Sequence, residues 1–278
     1  VRPDVPGIEH SITSNEMFGL EQLPKSILIV GGGYIACEFA GIMNGMGVAT
    51  TQYYRGEQIL RGFDREARDL IASSMIERGI YLCCGADVAK IEKSGSGLVV
   101  TDRQGNLASF DHVMYATGRA PNTAGLGLTD IGVKTGAAGE ILVDEFSQTS
   151  VPSVYAIGDV TNRANLTPVA IREAMAFVET VFKENTTAPD HDLIPTAIFT
   201  QPEMGTVGLS EEAARAQELI DVYASSFKPM HSGFAGKSEK MLINPIDYYF
   251  SNSISRASKV MSECRDIKLK HLKSGTNN

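Results

Sequence analysis

Short apolar runs alternate along this chain with longer segments whose apolar positions recur every three or four residues, the pattern of strands followed by helices. Residues 27–30 (Ile-Leu-Ile-Val) are apolar without interruption and predict a strand buried on both faces of a parallel sheet. A helical pattern opens directly behind them and runs to about residue 46, and a second strand is expected over 48–54. Asp64 is placed to cap a helix reaching Arg78, with Ala67, Leu70, Ile71 and Met75 on one face and Gly79 just past its end. Brief β-like runs follow at 80–83, 88–91, 98–101, 107–110 and 113–116, with a hairpin turn at 102–106.

Further on, residues 153–159 (Ser-Val-Tyr-Ala-Ile-Gly-Asp) predict another strand, with Asp159 at its carboxyl edge. Thr167 reads as the cap of the next helix, Pro168 as its first residue, and Ala170, Ala174, Phe177 and Val181 as its apolar stripe. Strands at 196–200 and 207–209 precede a helix starting at Ser210, where Glu211 and Glu212 suit the positive end of the dipole.

The first strand ends in the turn Gly31-x-Gly33-x-x-Ala36, and the helical pattern that runs to about residue 46 begins inside it. Strand, glycine turn and helix in that order are what a dinucleotide-binding βαβ unit requires. Gly31 permits the tight turn, Gly33 lets the backbone approach a pyrophosphate, and Ala36 lets helix and strand pack closely. The N–H groups at the helix start then favour the phosphates. A glycine-rich turn can also be purely structural, but here all three elements agree. The end of the second strand selects the nucleotide. An NAD site wants an acidic residue there for the ribose hydroxyls. This chain has Arg55, with Arg61 close behind, and guanidinium forks suit the 2′-phosphate of NADP. Glu57 is the counter-candidate, which would move the preference towards NAD if it faced the ribose.

The chain has 278 residues and a net charge of −8, which gives no basis for a nucleic-acid surface. No apolar run approaches a membrane span and no signal peptide is visible, so a cytoplasmic location is expected. Cys37, Cys83, Cys84 and Cys264 have neither disulfide-framework nor zinc-type spacing and read as reduced thiols; no metal is expected.

Five blocks together carry a resemblance: G-G-G-Y-I-A-C-E-F-A-G (31–41), Y-R-G-E-Q-I-L-R-G-F-D (54–64), Y-A-T-G-R-A-P-N-T (115–123), Y-A-I-G-D-V-T-N-R-A-N-L-T-P-V-A (155–170) and F-T-Q-P-E-M-G-T-V-G-L-S (199–210). In these blocks the chain resembles the flavin-dependent pyridine nucleotide–disulfide oxidoreductases, and within them the members that reduce glutathione disulfide. The resemblance implies an α/β fold. Its parts would be a Rossmann-like FAD/NAD(P)-binding domain with parallel sheet and β-meander, part of a second FAD-binding half, and a remnant of an α+β dimerisation domain. It divides the chain into the end of an FAD-binding domain and linker (1–23), an NADPH-binding domain (24–121), a central FAD-contacting segment (122–192), the start of an interface domain (193–241) and a divergent tail (242–278).

NADPH and FAD are the implied cofactors, glutathione disulfide the implied substrate, and a homodimer the implied assembly, with no nucleic acid or membrane partner. Tyr34 would be the movable lid over the nicotinamide side of the flavin. Glu38 would contact the nicotinamide and pair with a flavin-site lysine. Gly31, Gly33, Ile35 and Ala36 would cradle the dinucleotide, and Arg55 and Arg61 its 2′-phosphate. Gly118 would lie beside the cofactor, Asp159 would take a ribitol hydroxyl, and the backbone of Leu166 and Thr167 would meet the flavin pyrimidine ring. On residues alone, Tyr34 and Glu38 remain an ordinary amphipathic pair, whereas Asp159, a carboxylate at the edge where open α/β sheets bind ligands, reads as facing a ligand crevice, with structural capping the alternative.

The family's first FAD glycine motif, its C-x-x-x-x-C redox pair and the lysine partner of Glu38 are expected upstream of Val1. Its His-Pro-Thr acid–base motif is expected downstream. Cys83-Cys84 is adjacent rather than spaced, and none of His10, His112, His191, His231 and His271 stands in that motif. The chain by itself is therefore expected to be an inactive portion of such an enzyme. Other disulfide, mercuric or trypanothione-type flavin reductases, and a non-catalytic NADPH-binding module, are the alternatives.

Overall fold

A computed structural model describes residues 1–236, 240–243 and 246–248. Two compact units are present, Val1–Gly208 and Leu209–Asn278. The first opens with a short helix α1 (Ser14–Met17), capped by Thr13, and enters strand β1 (Ser26–Val30). Helix α2 (Tyr34–Gly45), strand β2 (Ala49–Tyr54), helix α3 (Arg65–Glu77) and strand β3 (Tyr81–Cys84) complete the alternation, and strand β7 (His112–Tyr115) returns to the same sheet. The strand order is β3-β2-β1-β7 and every pairing is parallel, with Leu28 flanked by Thr51 and Val113.

Because successive side chains of a strand point to opposite faces, β1 divides its apolar run between two cores. Ile27 and Ile29 pack under α2 and α3 with Ala36, Cys37, Phe39, Ala40, Met43, Ile71 and Met75. Leu28 and Val30 face the other way, into Val88, Ile91, Leu98, Val100 and Phe110. Those five come from an antiparallel meander, β4 (Val88–Ser94), β5 (Gly97–Asp102) and β6 (Leu107–Phe110). A parallel sheet must be covered on both faces, and the meander supplies the second cover. Its hairpin is closed by Asp102, whose carboxylate accepts from the N–H groups of Gln104 and Asn106 and from Asn106 Nδ2. The side-chain bond from Asn106, the largest cause, lowers the carboxyl pKa.

Asp64 does cap α3, accepting from Glu66 N–H, and Gly79 takes positive φ behind it. The strand expected over 153–159 does not form. Its N–H groups turn back locally, from Val154 to the Val151 carbonyl and from Ala156 to that of Ser147, and one bridge, Gln148 to Tyr155, is its nearest approach to a ladder. No strand lies beside it among the described residues, so its apolar side chains fill a small cluster with Val133 and Ile141 instead. Gly158–Thr161 is a 3₁₀ turn.

Helix α4 (Thr167–Phe182) also departs from expectation. Its N-cap is Leu166, no side chain caps it, and Thr167 is already helical. The line it buries is Val169, Glu173 and Ala176 rather than Ala170, Ala174, Phe177 and Val181; Val181 is exposed. Phe177 stands edge-to-face against Tyr155 at 5.0 Å. The hairpin β8 (Thr196–Ile198) and β9 (Met204–Thr206) closes the first unit, and Ile198 and Met204 join the α2 core. The second strand thus lies three residues before the expected 207–209. In the second unit Ser210 caps α5 (Glu211–Arg215) through Ala213 N–H, as expected. Strands β10 (Ile220–Val222) and β13 (Ile246–Tyr248) pair there, as do β11 (Ser225–Phe227) and β12 (Met241–Ile243).

Candidate dinucleotide site

The glycine turn is built for absence of side chains, for a different reason at each position. Gly31 sits at φ 146°, and a Cβ there would lie 2.4 Å from the Ala116 carbonyl oxygen and 3.2 Å from Ala36 Cβ. Gly32 is pressed against the Tyr54 ring, which a Cβ would meet at 2.4 Å. Gly33 is exposed, and a Cβ there would meet nothing within 4 Å. Room is therefore kept at Gly33 for something outside the chain, while Gly31 and Gly32 satisfy the fold. Gly33 is also the N-cap of α2 and has no side-chain cap, so the N–H groups behind it stay available. Ala36 is buried, with Tyr34 and Ile35 half-buried beside it.

The loop after β2 closes onto this turn. Leu60, at φ 57° and fully buried, donates its N–H to the Gly32 carbonyl at 2.6 Å. The Tyr54 ring is wedged between Gly32 and Gly56, whose Cβ would lie 2.6 Å from it. Arg68 of α3 donates Nε to the Ile59 carbonyl at 2.7 Å and Nη2 to that of Gln58 at 2.8 Å. Arg55 and Arg61 ride on this loop, both exposed and neither in an ion pair among the described residues. Glu57, the expected counter-candidate, is exposed on the same loop. From β2, Gln52 donates Nε2 to the Gly31 carbonyl at 2.9 Å, holding the turn from beneath.

Glu38 lies one helical turn beyond Tyr34, and its Oε1 accepts the Phe199 N–H at 2.8 Å. A second group of expected residues meets beyond β7. Gly118, at φ 121°, precedes Arg119, whose Nε stands 3.3 Å from Asp159 Oδ2. Behind Asp159 the peptide is held by Glu173, which is 1% exposed. Its Oε2 accepts the Gly158 N–H at 2.6 Å, and its Oε1 pairs with Arg163 Nη2 at 2.9 Å and His191 Nε2 at 2.8 Å. Leu166 and Thr167 begin α4, which no side chain caps; Leu166 donates its N–H to the Ala164 carbonyl at 2.9 Å.

A family model, pyridine nucleotide-disulphide oxidoreductase, matches residues 1–174, and that family's dimerisation domain matches residues 194–246. The chain belongs to the pyridine nucleotide-disulphide oxidoreductases. Glutathione reductases of Burkholderia cepacia and Pisum sativum are 47% and 46% identical to it over 87% and 88% of its length, covering 54% and 45% of theirs. A trypanothione reductase of Trypanosoma congolense is 43% identical over 87% of the chain and 50% of its own length. The chain thus spans about half the length of the curated relatives it matches. Among solved structures, a HOCl-induced flavoprotein disulfide reductase of Escherichia coli, in its Cu(II) complex, superposes with TM-score 0.82 at 25% identity. That match covers 88% of this chain and 57% of the other.

In this oxidoreductase chain the residues missed by sequence reasoning are Gly32, Gln52, Tyr54, Arg68, Arg119 and Glu173. Each acts through a partner distant in sequence, a signal that periodicity does not carry. His191 is held by Glu173 and His10 lies 3.6 Å from Glu9, in keeping with satisfied histidines; His271 and Cys264 lie outside the described residues. Among those residues no three metal-ligating side chains converge, and no helix is long and apolar enough to cross a membrane. Cys37 is buried, and burial pushes its thiol up to about 12; Cys83 and Cys84 are raised less, also mainly by burial.

Proposed function

We propose that this chain is the NADPH-binding and flavin-contacting portion of a glutathione-disulfide reductase, acting as a homodimer in the cytoplasm. The reaction is NADPH + H⁺ + glutathione disulfide → NADP⁺ + two glutathione. The observation that supports it most directly is the Gly33 turn, open where a phosphate must approach, joined through Leu60 and Tyr54 to a loop bearing two guanidinium groups that are in no ion pair among the described residues. NADPH supplies the hydride, and FAD the two-electron relay to a dithiol.

The residues present fit both groups. Gly33 and the N–H groups at the start of α2 would hold the pyrophosphate, and Arg55 and Arg61 the 2′-phosphate. Tyr34 would cover the nicotinamide pocket, with Glu38 positioning the carboxamide while Phe199 N–H fixes its carboxylate. Asp159 would accept from a ribitol hydroxyl, steadied by Arg119 and by Glu173 behind it. The Thr167 N–H and the positive end of α4 would favour negative charge at the flavin edge beside them.

The test is calorimetric titration of the chain with NADPH and NADH, repeated with Arg55→Glu. NADPH should bind at least tenfold more tightly, and Arg55→Glu should remove that preference; a variant that keeps it would refute the role of Arg55. None of the chain's four cysteines, Cys37, Cys83, Cys84 and Cys264, stands in the family's C-x-x-x-x-C spacing, so the purified chain should show no glutathione-dependent NADPH oxidation. The trypanothione reductases, similar at 43–46% identity, make trypanothione disulfide the second substrate to assay.

A further inference from the structure

The glycine turn and the arginine loop, read above as a pyrophosphate and a 2′-phosphate subsite, are tied to each other in this chain. Three ties join them. Leu60 N–H bonds the Gly32 carbonyl at 2.6 Å, the Tyr54 ring fills the space left by Gly32 and Gly56, and the Arg68 fork holds the carbonyls of Ile59 and Gln58. The first tie places Leu60 in left-handed backbone, a conformation unfavourable to a branched side chain that persists only when neighbours over-determine it. Gln58, whose Nε2 donates to Asp69 Oδ1 at 2.6 Å, is one such neighbour, and Arg68 is another. It anchors the two carbonyls immediately before Leu60, from a helix whose Ile71 and Met75 are buried in the core.

We infer that Arg68 is a positioning residue for coenzyme selectivity: by clamping residues 58–59 it forces Leu60 onto Gly32 and so sets Arg55 and Arg61 in register with the phosphates bound at Gly33. A guanidinium suits this task because two donors leave it in a fixed fork, matched here to two successive carbonyls; an ammonium cannot reproduce that geometry. Arg68 needs no contact with the nucleotide. Its effect falls on the ligand that uses the loop, a dinucleotide with a 2′-phosphate, and spares one that uses the turn alone. This rests on the reading of Arg55 and Arg61 proposed above.

The experiment titrates the 278-residue chain with NADPH, NADH, 2′,5′-ADP and 5′-AMP, for the parent, Arg68→Ala, Arg68→Lys and Arg55→Ala, each checked for cooperative unfolding. Arg68→Ala should weaken NADPH and 2′,5′-ADP tenfold or more while changing NADH and 5′-AMP less than twofold. Arg68→Lys keeps the charge and most of the stem, so it serves if Arg68→Ala does not fold, and it should lose at least fivefold in the NADPH-to-NADH ratio. An Arg68→Lys chain with the parent ratio would overturn the inference, as would equal losses for all four ligands, the mark of a merely structural role. If Arg55→Ala itself leaves the ratio unchanged, the reading of the arginine loop fails instead; a lowered ratio there beside an unchanged one in the Arg68 variants rejects the inference alone.

Discussion

The carboxylate of Glu38, on the first turns of α2, accepts the backbone N–H of Phe199 at 2.8 Å, although 161 positions separate them. The bond fastens the end of β8 to the helix that begins at the glycine turn. Glu38→Ala removes the acceptor, and a bond of this kind contributes about 1 kcal/mol. For a unit of this size the midpoint of thermal unfolding should fall by about 2–4 °C. Glu38→Gln keeps an acceptor oxygen and should lose less than half as much. Differential scanning calorimetry of both variants decides it, and equal losses would show that charge, not acceptance, matters.

The two neighbouring glycines should separate stability from binding. Gly32→Ala drives a methyl into the Tyr54 ring and should cost about 1–3 kcal/mol of stability, read by urea denaturation. Gly33→Ala meets open space at an ordinary φ of −83°, so the fold should tolerate it while NADPH affinity drops tenfold or more. Equal stability of the two variants would contradict this division.

Glu173 binds Gly158, Arg163 and His191 while almost wholly buried. Glu173→Ala leaves the Arg163 guanidinium without its carboxylate, though still bonded to Ser147 Oγ, and the Gly158 N–H without its acceptor, and should destabilise by about 3 kcal/mol, with a larger loss than Glu179→Ala on the same helix. Glu179 pairs with Lys183 and accepts from Asn185 Nδ2 at the surface, where solvent screening leaves such interactions little weight.

Alkali should unfold the chain partly through Cys37. Its folded thiol titrates at about 12, against 9.0 as the ordinary value that the unfolded chain restores. The raised pKa stabilises the fold fully below pH 9, and that stability is lost as pH rises from 9 towards 12, because only the unfolded chain releases the proton. Cys37→Ala should flatten the decline in unfolding free energy over that window. Exposed Cys84 should react with iodoacetamide in the native state, more slowly than a free thiol at pH 8 because its pKa is raised, whereas Cys37 should react only after unfolding.

Local chemistry was enough to read part of this molecule. Residues 27–30, the Gly31-x-Gly33-x-x-Ala36 turn, Asp64 as a cap and the hairpin at 102–106 depend on neighbours within a few residues, so their signals sit together in the chain. Residues 153–159 have the same apolar look as β1, yet form no strand, because a strand exists only where another backbone lies alongside. The inward line of α4 was misread for a related reason. A charged residue is assigned to the surface by default, and Glu173 is buried because donors from Gly158, Arg163 and His191 converge on it.

Neighbouring residues were enough to specify the βαβ unit, the glycine turn and the two arginines that follow it, since these rest on periodicity, glycine and charge in adjacent positions. Tertiary structure alone decided that Gly32 exists for the Tyr54 ring, that Arg68 clamps the arginine loop, and that Glu38 reaches Phe199. Those are relations between surfaces brought together by burying the two faces of β1, and no spacing along the chain encodes them.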